Sequence, residues 1–252
     1  NFGEKDRFWG LLVDNFHDLP SYGMNYNRPY YRRFFESRGY QVYYEQYVYG
    51  REVGMAVQAP FERKRAQIEA RGGFKVITAN DLNEAELAQH FCTAYNNAWG
   101  GHHGFSKMPL KQAQRTVQTL KPIMDKDIIF FVLHKGEPVA FYVNIPELNQ
   151  IFCHVNGNLN AVGKLKFLYH KWRHTSDVMV GLVFGIDRRY HGKGLDGFLI
   201  DTAGKQVQAK GRYKTTTLTW IGDFNPKMIS VSENLGTTRK RTFCTMRRLF
   251  DP

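Results

Sequence analysis

A glycine-rich segment with several basic side chains, residues 185–196 (GIDRRYHGKGLD), carries the most specific chemical signal in the sequence. It follows an apolar run of strand length, residues 178–186, and precedes a segment whose apolar residues recur at helical spacing. Gly192 and Gly194 lack the Cβ atoms that would block a close approach, so backbone N–H groups can point outward at this turn. The positive end of the following helix dipole adds to those amides, which predicts a binding site for a phosphate group.

The charged side chains of this segment support the same prediction. Arg188, Arg189, His191 and Lys193 would supply counter-charge to an anion. The segment is not a Walker A loop, because no G-K-[ST] follows, and it does not match the G-x-G-x-x-G dinucleotide fingerprint. Two closely spaced glycines alone are equally compatible with an ordinary tight turn. The apolar strand ahead and the amphipathic helix behind favour the anion site.

The overall charge of the chain agrees with an anionic partner. Its 252 residues include 35 Lys and Arg against 23 Asp and Glu, which gives a formal net charge of +12. Such a charge attracts nucleic acid, an anionic membrane surface or a phosphate-bearing small molecule. A hydrophobic content of 42% with 15% aromatic residues indicates a packed globular protein. No apolar run approaches the roughly 20 residues of a membrane-spanning helix, so we expect no membrane span.

The cysteines and the first residues bear on the compartment and on the extent of the chain. Cys92, Cys153 and Cys244 are scattered and form no C-x-x-C pair, so we expect no disulfide framework and a cytoplasmic protein. Residues 1–7 contain neither an initiator Met nor the apolar core of a signal peptide. We therefore expect the natural polypeptide to extend N-terminal of Asn1.

Strands and helices alternate along the chain, which predicts a mixed α/β or α+β fold. Apolar and β-branched runs predict strands at residues 9–13, 40–49, 74–78, 128–134, 138–144, 178–186, 218–220 and 242–249. Caps and apolar periodicity predict helices after Pro29, at residues 60–71, after Asp81 or Asn83, after Pro109, and at residues 164–173, 195–207 and 225–235. Lys135-Gly136-Glu137 joins two of the strands as a hairpin turn.

Residues 189–194 (RYHGKG) match the pattern R/Q-x-x-G-x-G/A, the pyrophosphate loop of the GCN5-related N-acetyltransferases (GNATs). The order of hairpin, buried strand, loop, helix, strand, helix and last strand also resembles the catalytic half of that superfamily, over roughly residues 74–250. Residues 145–150, with Asn156-Gly157 and residues 165–168 (LKFL), are similar to a poorly characterised bacterial branch of it. The resemblance implies a twisted, mostly antiparallel sheet flanked by helices.

The same resemblance implies acetyl-CoA as a co-substrate, with no metal. Its pantetheine arm would lie in a cleft where strand 178–186 parts from strand 218–220, near Phe184, Ile186 and Asn225. Its pyrophosphate would bind the loop residues Arg189, Tyr190, His191, Gly192, Lys193 and Gly194. A primary amine would attack the thioester directly in a ternary complex, and a backbone N–H of the buried strand would hold the developing oxyanion.

Candidate catalytic and acceptor residues follow from the resemblance and from residue type. The superfamily often has a Tyr seven residues after the motif Asn, as the acid for the leaving thiolate, and this chain has Ser232 there, a poorer acid. Glu147 is the candidate general base, with Asp177, His102 and His103 as alternatives of suitable type and position. Trp99, Phe105 and Asn149 are candidates for the acceptor site, although Trp99 and Phe105 are equally suited to core packing.

The segment 164–173 is basic and aromatic. His170 and His174 have the i, i+4 spacing of zinc ligands, but Lys171 stands where a zinc-binding helix motif has Glu, so we expect no metal. The segment is also basic enough to contact nucleic acid or acidic lipid, and a solvated amphipathic helix is the simpler interpretation.

Two arrangements of the N-terminal part stay open. Gly72-Gly73 predicts a boundary between residues 1–72, a partial GNAT-like unit with a linker helix, and residues 73–252, a GNAT-like acyl-CoA-binding domain. In support, the order Asn27-Arg28-Pro29, helix, Arg38-Gly39, strand resembles the order Asn225-Pro226, helix, Leu235-Gly236, strand. Alternatively, the strand near 40–49 completes the sheet of the second domain by pairing beside 242–249.

Three functions remain possible. The first is an N-acyltransferase that moves acetyl from acetyl-CoA to a small-molecule or peptide amine, with homodimerisation possible. The second is a non-catalytic coenzyme A-binding or regulatory module, for which Ser232 is the main support. The third, a nucleic-acid-binding protein, rests on the basic charge alone, so no nucleic-acid partner is expected.

Overall fold

The predicted alternation becomes eight strands and eight α-helices over residues 10–100 and 106–250, which the computed structural model describes. The strands are β1 (Leu11–Leu12), β2 (Gln41–Glu52), β3 (Phe74–Thr78), β4 (Ile129–His134), β5 (Glu137–Pro146), β6 (Val178–Ile186), β7 (Thr215–Gly222) and β8 (Thr238–Arg247). The helices are α1 (Tyr31–Glu36), α2 (Ala59–Arg71), α3 (Glu84–Trp99), α4 (Leu110–Leu120), α5 (Asn149–Phe152), α6 (Ala161–Trp172), α7 (Leu195–Lys210) and α8 (Pro226–Asn234).

The strands form one sheet in the order β1-β8-β2-β7-β6-β5-β4-β3. The pairs β1–β8, β2–β8, β3–β4, β4–β5 and β5–β6 are all antiparallel. Helices flank the sheet, so the predicted fold class, mixed α/β with a mostly antiparallel sheet, is confirmed.

Local sequence signals explain several of these elements. In the β4–β5 hairpin, Lys135 and Gly136 both have positive φ, +52° and +83°, as a tight two-residue turn requires. Asn83 caps α3, because its side-chain oxygen accepts the N–H groups of Ala85 and Glu86 at 3.0 Å. The Glu86 carboxylate in turn accepts the Asn83 N–H at 2.9 Å and completes a capping box.

The described residues divide into two compact units, which we name for their position in the sequence. The middle unit comprises those within Glu52–Pro146 and Ser176–Thr216. The terminal unit comprises those within Asn1–Arg51, Glu147–Thr175 and Thr217–Pro252.

The middle unit buries two apolar clusters, because successive side chains of a strand point to opposite faces. On one face, Phe130 and Val132 of β4 pack with Leu199 of α7. On the other face, Phe131 of β4 and Phe141 of β5 pack with the α3 residues, among them Ala98. An apolar cluster therefore covers β6 on each of its two faces.

The terminal unit has a smaller core around Leu12, Val48 and Phe243, which come from β1, β2 and β8. Leu12 pairs with Phe243 across the first two of these strands, and Gln46 of β2 pairs with Phe243 from the other side. This core thus joins the beginning and the end of the described chain.

Within the described residues this division falls at Arg51/Glu52 rather than at the predicted boundary Gly72-Gly73, and a partial GNAT-like unit over residues 1–72 stays a prediction. β2 pairs with β8 from Gln41↔Arg247 to Gly50↔Thr238. The strand near 40–49 thus lies beside 242–249, which is the pairing that the alternative arrangement expects. The physical reason is that β2 finds its hydrogen-bond partner far along the chain, where no local pattern reports it.

Candidate functional site

A buried carboxylate stabilises the turn between β6 and α7. Asp187 accepts the backbone N–H of Arg189 at 2.9 Å and so caps the short 3₁₀ turn that follows β6. Gly192 and Gly194 then have φ of +72° and +89°, in the left-handed region that favours glycine. α7 begins directly after Gly194, so the free amides of its first turn face the same place as the glycines.

The α7 helix starts against α2, and a glycine makes this close approach possible. A Cβ on Gly197 would lie 2.5 Å from the Cβ of Lys64, which is closer than real Cβ atoms come. The Lys64 Nζ forms an ion pair with the Asp196 carboxylate at 2.5 Å. Lys64 of α2 thus neutralises Asp196 in the first turn of α7. The positive potential at the N-terminal end of the helix is therefore preserved.

Arg189, the first residue of the predicted pyrophosphate pattern, is already engaged within the turn. Its Nε and Nη2 donate to the Asp187 carboxylate at 3.0 and 2.7 Å. The hydrogen bonds and charge of Asp187 raise the pKa of Arg189 above its ordinary value. The structure therefore gives Arg189 a part in shaping the turn, and direct binding of phosphate by it stays a prediction.

Tyr190 and His191 also use their polar groups inside the protein. The Tyr190 hydroxyl lies 2.8 Å from the Nδ1 of His134, whose ring stacks on Phe74 with centroids 4.3 Å apart. His191 Nε2 lies 3.0 Å from the Ile186 carbonyl oxygen. Both residues support the turn, and their predicted contacts with a pyrophosphate stay predictions, as do those of Gly192, Lys193 and Gly194.

Arg71 is a residue that the sequence interpretation missed. It is the last residue of α2, and its Nη1 donates to the Lys193 carbonyl at 3.3 Å. The helix predicted at residues 60–71 was assigned no role at this turn, yet Lys64 and Arg71 both reach it. Their spacing of seven residues places them on one face of the helix, and that periodicity was the signal available in the sequence.

β6 contains a bulge, which was not predicted. Val143 pairs with Val183 and Asn144 pairs with Gly181, so no residue of β5, a fully described strand, is aligned with Leu182. A bulge turns backbone groups out of the regular ladder and recurs beside active sites. The backbone around Leu182 is therefore the place in β6 that is best suited to offer an N–H group to a substrate.

The side chains of β6 beyond the bulge alternate between the two cores. Phe184 and Ile186, predicted to border the pantetheine arm, pack against the α7 cluster. A Cβ on Gly185, on the other face, would lie 2.9 Å from the Trp99 ring. Trp99 lies partly buried against the apolar cluster of α3, and its predicted contact with an acceptor stays a prediction.

Phe105, His102 and His103 lie outside the described residues. Their predicted roles, in the acceptor site for Phe105 and as alternative bases for the histidines, stay predictions.

An apolar cavity of about 170 Å³ opens between α3, α4 and the sheet. Apart from Thr116, its lining is apolar, and it comprises Leu87, Phe91, Val117, Leu120, Met124, Ile129, Phe131, Val143, Leu182 and Val183. The bulge residue Leu182 thus forms part of its wall. The cavity lies wholly within the middle unit.

Glu147 and Asn149 hold a loop of the terminal unit. The buried Glu147 Oε1 accepts the backbone N–H groups of Tyr22 and Asn149, both at 2.9 Å. The Asn149 amide donates to the Pro20 carbonyl at 2.6 Å. Glu147 Oε2 has no hydrogen-bond partner in the described part of the chain. The predicted roles, general base for Glu147 and acceptor contact for Asn149, stay predictions.

Asn225 and Ser232 both serve α8 in the terminal unit. Asn225 caps the helix, because its side-chain oxygen accepts the Met228 N–H at 3.3 Å. Ser232 is fully buried, and its hydroxyl donates to the Met228 carbonyl at 2.9 Å. The Ser232 hydroxyl thus donates its hydrogen bond to the helix backbone. The predicted roles, pantetheine binding for Asn225 and protonation of a thiolate for Ser232, stay predictions.

The His170 ring is occupied by a stacking contact. It lies parallel to the His154 ring with centroids 4.0 Å apart. Over residues 10–100 and 106–250, no three His, Cys, Asp or Glu side chains are grouped as a metal site would require. None of the described helices is both long and apolar enough to cross a bilayer.

The fold is that of the GNATs. A GCN5-related N-acetyltransferase from Sphaerobacter thermophilus matches with a TM-score of 0.53 at 12% identity, over 90% of this chain and 57% of that one. A tandem GNAT protein from the clavulanic acid biosynthesis pathway matches with a TM-score of 0.50 at 9% identity, over 88% and 59%. At such identities the likeness establishes the fold alone. No protein-family model matches the chain.

Two curated proteins are similar in sequence over almost the whole chain. The bacterial ceramide synthase of Caulobacter vibrioides is 22% identical in a 243-position alignment, which covers 93% of this chain and 62% of that protein. Protein YghO of Escherichia coli K12 is 23% identical in a 233-position alignment, which covers 90% of this chain and 59% of that protein. The chain therefore spans about three fifths of the length of the curated relatives it matches.

Proposed function

We propose that the protein is an acyl-CoA-dependent N-acyltransferase, which transfers an acyl group, acetyl in the simplest case, to a primary amine. The observation that carries the proposal is the β6–α7 turn. Gly192 has nothing within 4 Å of an added Cβ, so the space above the turn is open to a pyrophosphate. Lys193, Arg71 and the first amides of α7 border this space and supply charge and hydrogen-bond donors.

Acyl-CoA supplies an activated thioester, and the chain positions it. In the overall reaction an amide C–N bond forms, the thioester C–S bond breaks, the amine loses a proton and the thiol gains one. A backbone N–H at the Leu182 bulge would stabilise negative charge on the carbonyl oxygen. Glu147, whose Oε2 lacks a described partner, remains the candidate base, and Ser232 remains the candidate acid.

Calorimetry with coenzyme A tests the turn through two variants at one position. Gly192→Asp adds a carboxylate beside the pyrophosphate, and Gly192→Asn adds a neutral side chain of the same size that tolerates positive φ. We expect at least about tenfold weaker binding for Asp than for Asn, a difference of about 1.4 kcal/mol. Equal affinity of both variants and wild type would refute the site.

Thiol release with a panel of amines then separates an enzyme from a coenzyme A-binding module without activity. Binding without any amine-dependent thiol release would support the second function. The amine panel addresses the acceptor, and gel filtration addresses the predicted homodimer. The cytoplasmic location and the absence of a nucleic-acid partner stay predictions.

A second candidate is transfer of a longer aliphatic acyl chain to a long-chain amine. The cavity beside Leu182 favours it, since an apolar cavity of about 150 Å³ holds a benzene molecule and this one is of similar size. The curated relative named a ceramide synthase also favours it, because ceramide is an amide of a long-chain amino alcohol.

A chain-length series of acyl-CoA donors distinguishes the two candidates. Thr116→Phe fills the cavity, and Thr119→Phe, on the same helix but outside the lining, is the matched control. For a long-chain donor we expect Thr116→Phe to lower kcat/KM several-fold more than for acetyl-CoA. A wild-type preference for acetyl-CoA, or a chain-length profile that Thr116→Phe leaves unchanged, would exclude the cavity as an acyl-chain site.

A further inference from the structure

Helix α6 of the terminal unit exposes an apolar stripe to solvent. Val162, Leu165, Tyr169 and Trp172 are 52% to 74% exposed, and Leu168 beside them is 56% exposed. Their spacing of three, four and three residues places the first four along one side of the helix. A stripe of large apolar side chains on a single exposed helix face is characteristic of an interaction surface.

The opposite side of α6 fixes the helix with this stripe outward. Gly163 is buried, and a Cβ there would overlap the Asn158 carbonyl oxygen. Phe167 packs on Phe152 with centroids 5.4 Å apart, and His170 stacks on His154. Because these contacts occupy the inner face, α6 cannot bury its stripe by rotating without losing them.

Basic residues border the stripe on both sides. At 100° per residue, Lys164 and Lys171 fall along one edge, and Lys166 and Arg173 fall along the other. No Asp or Glu occurs from residue 148 to residue 176, so no acidic side chain interrupts this pattern. An apolar stripe between two cationic edges is complementary to a bilayer with anionic headgroups.

We propose that α6 docks on the surface of an anionic phospholipid membrane, with its axis in the plane of the interface. Val162 and Leu165 enter the acyl boundary, Tyr169 and Trp172 lie at the headgroup level, and the lysines contact lipid phosphates. This docking goes beyond the proposed acyl transfer and does not depend on it.

Other partners fit this surface less well. In a symmetric pair of α6 helices, the two stripes would meet and the cationic edges would face each other, which is repulsive. Nucleic acid would be attracted by the edges, but it offers no apolar region for Val162, Leu165 and Leu168. The anionic membrane is the one of these partners that satisfies both the stripe and its edges.

Vesicle co-sedimentation tests the proposal. The assay contains no acyl-CoA, so its result does not depend on whether the protein is an acyltransferase. We expect binding to phosphatidylcholine vesicles that contain phosphatidylglycerol, and weak binding to phosphatidylcholine alone. Leu165→Ser combined with Trp172→Ser removes two exposed side chains and should lower partitioning at least about tenfold. Leu249→Ser combined with Phe250→Ser removes two side chains of similar exposure elsewhere and should bind as wild type.

Tryptophan fluorescence locates the contact. Phospholipids with brominated acyl chains should quench the wild type, and Trp172→Phe should lose that quenching while it still sediments with vesicles. Absence of wild-type binding, equal loss in both double variants, or equal quenching in Trp172→Phe would overturn the proposal. So would a wild-type dimer that Leu165→Ser with Trp172→Ser converts to a monomer, or a single-stranded RNA that displaces the vesicles.

Discussion

The Asp187 carboxylate holds the Arg189 guanidinium and the Arg189 backbone N–H at the same time, with contacts of 2.7 to 3.2 Å. Asp187 is buried, whereas the Arg189 side chain is more than half exposed. The carboxylate thus caps the turn after β6 and also fixes the side chain that begins the pyrophosphate pattern. The shape of the turn depends on this one acidic residue.

Asp187→Ala should therefore lower the free energy of unfolding by about 1–2 kcal/mol, mostly through loss of the cap, because the exposed guanidinium adds little. Glu137→Ala is the control, since Glu137 is exposed and its carboxylate contacts the same guanidinium at 3.5 Å. We expect a change within about 0.5 kcal/mol for Glu137→Ala. Urea unfolding measures both, and equal values would contradict the capping role of Asp187.

Arg71→Ala should weaken coenzyme A binding about tenfold, as expected for loss of a hydrogen bond to a charged group of about 1.5 kcal/mol. Arg71 reaches the turn through the Lys193 carbonyl, so its charge lies beside the open glycines. Arg63→Ala, an exposed residue on the same helix, is the control and should bind as wild type. Calorimetry at two salt concentrations measures the difference, which should shrink at high salt. Equal affinities for both variants would remove Arg71 from the site.

Gly185→Ala should destabilise the protein by about 1–3 kcal/mol, because its Cβ would lie 2.5 Å from Phe141 and 2.9 Å from Trp99. Gly204→Ala in α7 is the opposite control, since nothing lies within 4 Å of its added Cβ. A helical Gly→Ala change should stabilise by about 0.5–1 kcal/mol. Thermal unfolding shows whether each variant lowers or raises the stability. An increased stability of Gly185→Ala would contradict the prediction and would show that the Trp99 ring can move away.

Acid should destabilise the terminal unit through His170. Burial lowers the pKa of His170, and the charges of His154, Arg173 and Lys166 lower it further. Between this lowered value and the ordinary value near 6.5, the unfolded chain binds more protons than the folded one. The free energy of unfolding should therefore fall as the pH falls through about 6.5.

Thermal unfolding at pH 7.5 and pH 5.5 measures this effect in wild type and in His170→Gln. We expect a smaller difference in Tm between the two pH values for His170→Gln. His90→Gln, which changes a histidine outside the stacked pair, should keep the wild-type difference. A pH dependence unchanged by His170→Gln would exclude the stacked pair as its source.

Much of the candidate site was predictable because its signals are local. The continuous apolar run predicted β6 with its observed bounds, Val178–Ile186, since a strand covered on both faces needs no polar residues. The two glycines predicted the turn before α7, because few other residues adopt positive φ there. Lys135-Gly136 predicted the hairpin for the same reason.

Other parts of the site depended on packing between distant segments. Arg71 and Lys64 belong to the β6–α7 turn only because α2 packs on α7 across Gly197. The Leu182 bulge follows from the register of β5 against β6, and neither strand shows it alone. The hydrogen bond from the Tyr22 N–H to Glu147, 125 residues away in sequence, was likewise not predictable from the sequence.

By itself, the sequence determined the mixed class, most strands and helices, and the glycine turn, because hydrophobic periodicity and turn chemistry act over a few neighbouring residues. Only the tertiary structure decided the division of the chain. Gln46 and Thr245 share a hydrogen bond of 3.0 Å across 199 residues, so the first long strand joins the last one. Such a pairing is set by which sheet edge remains free once the rest has packed, and that depends on the whole chain.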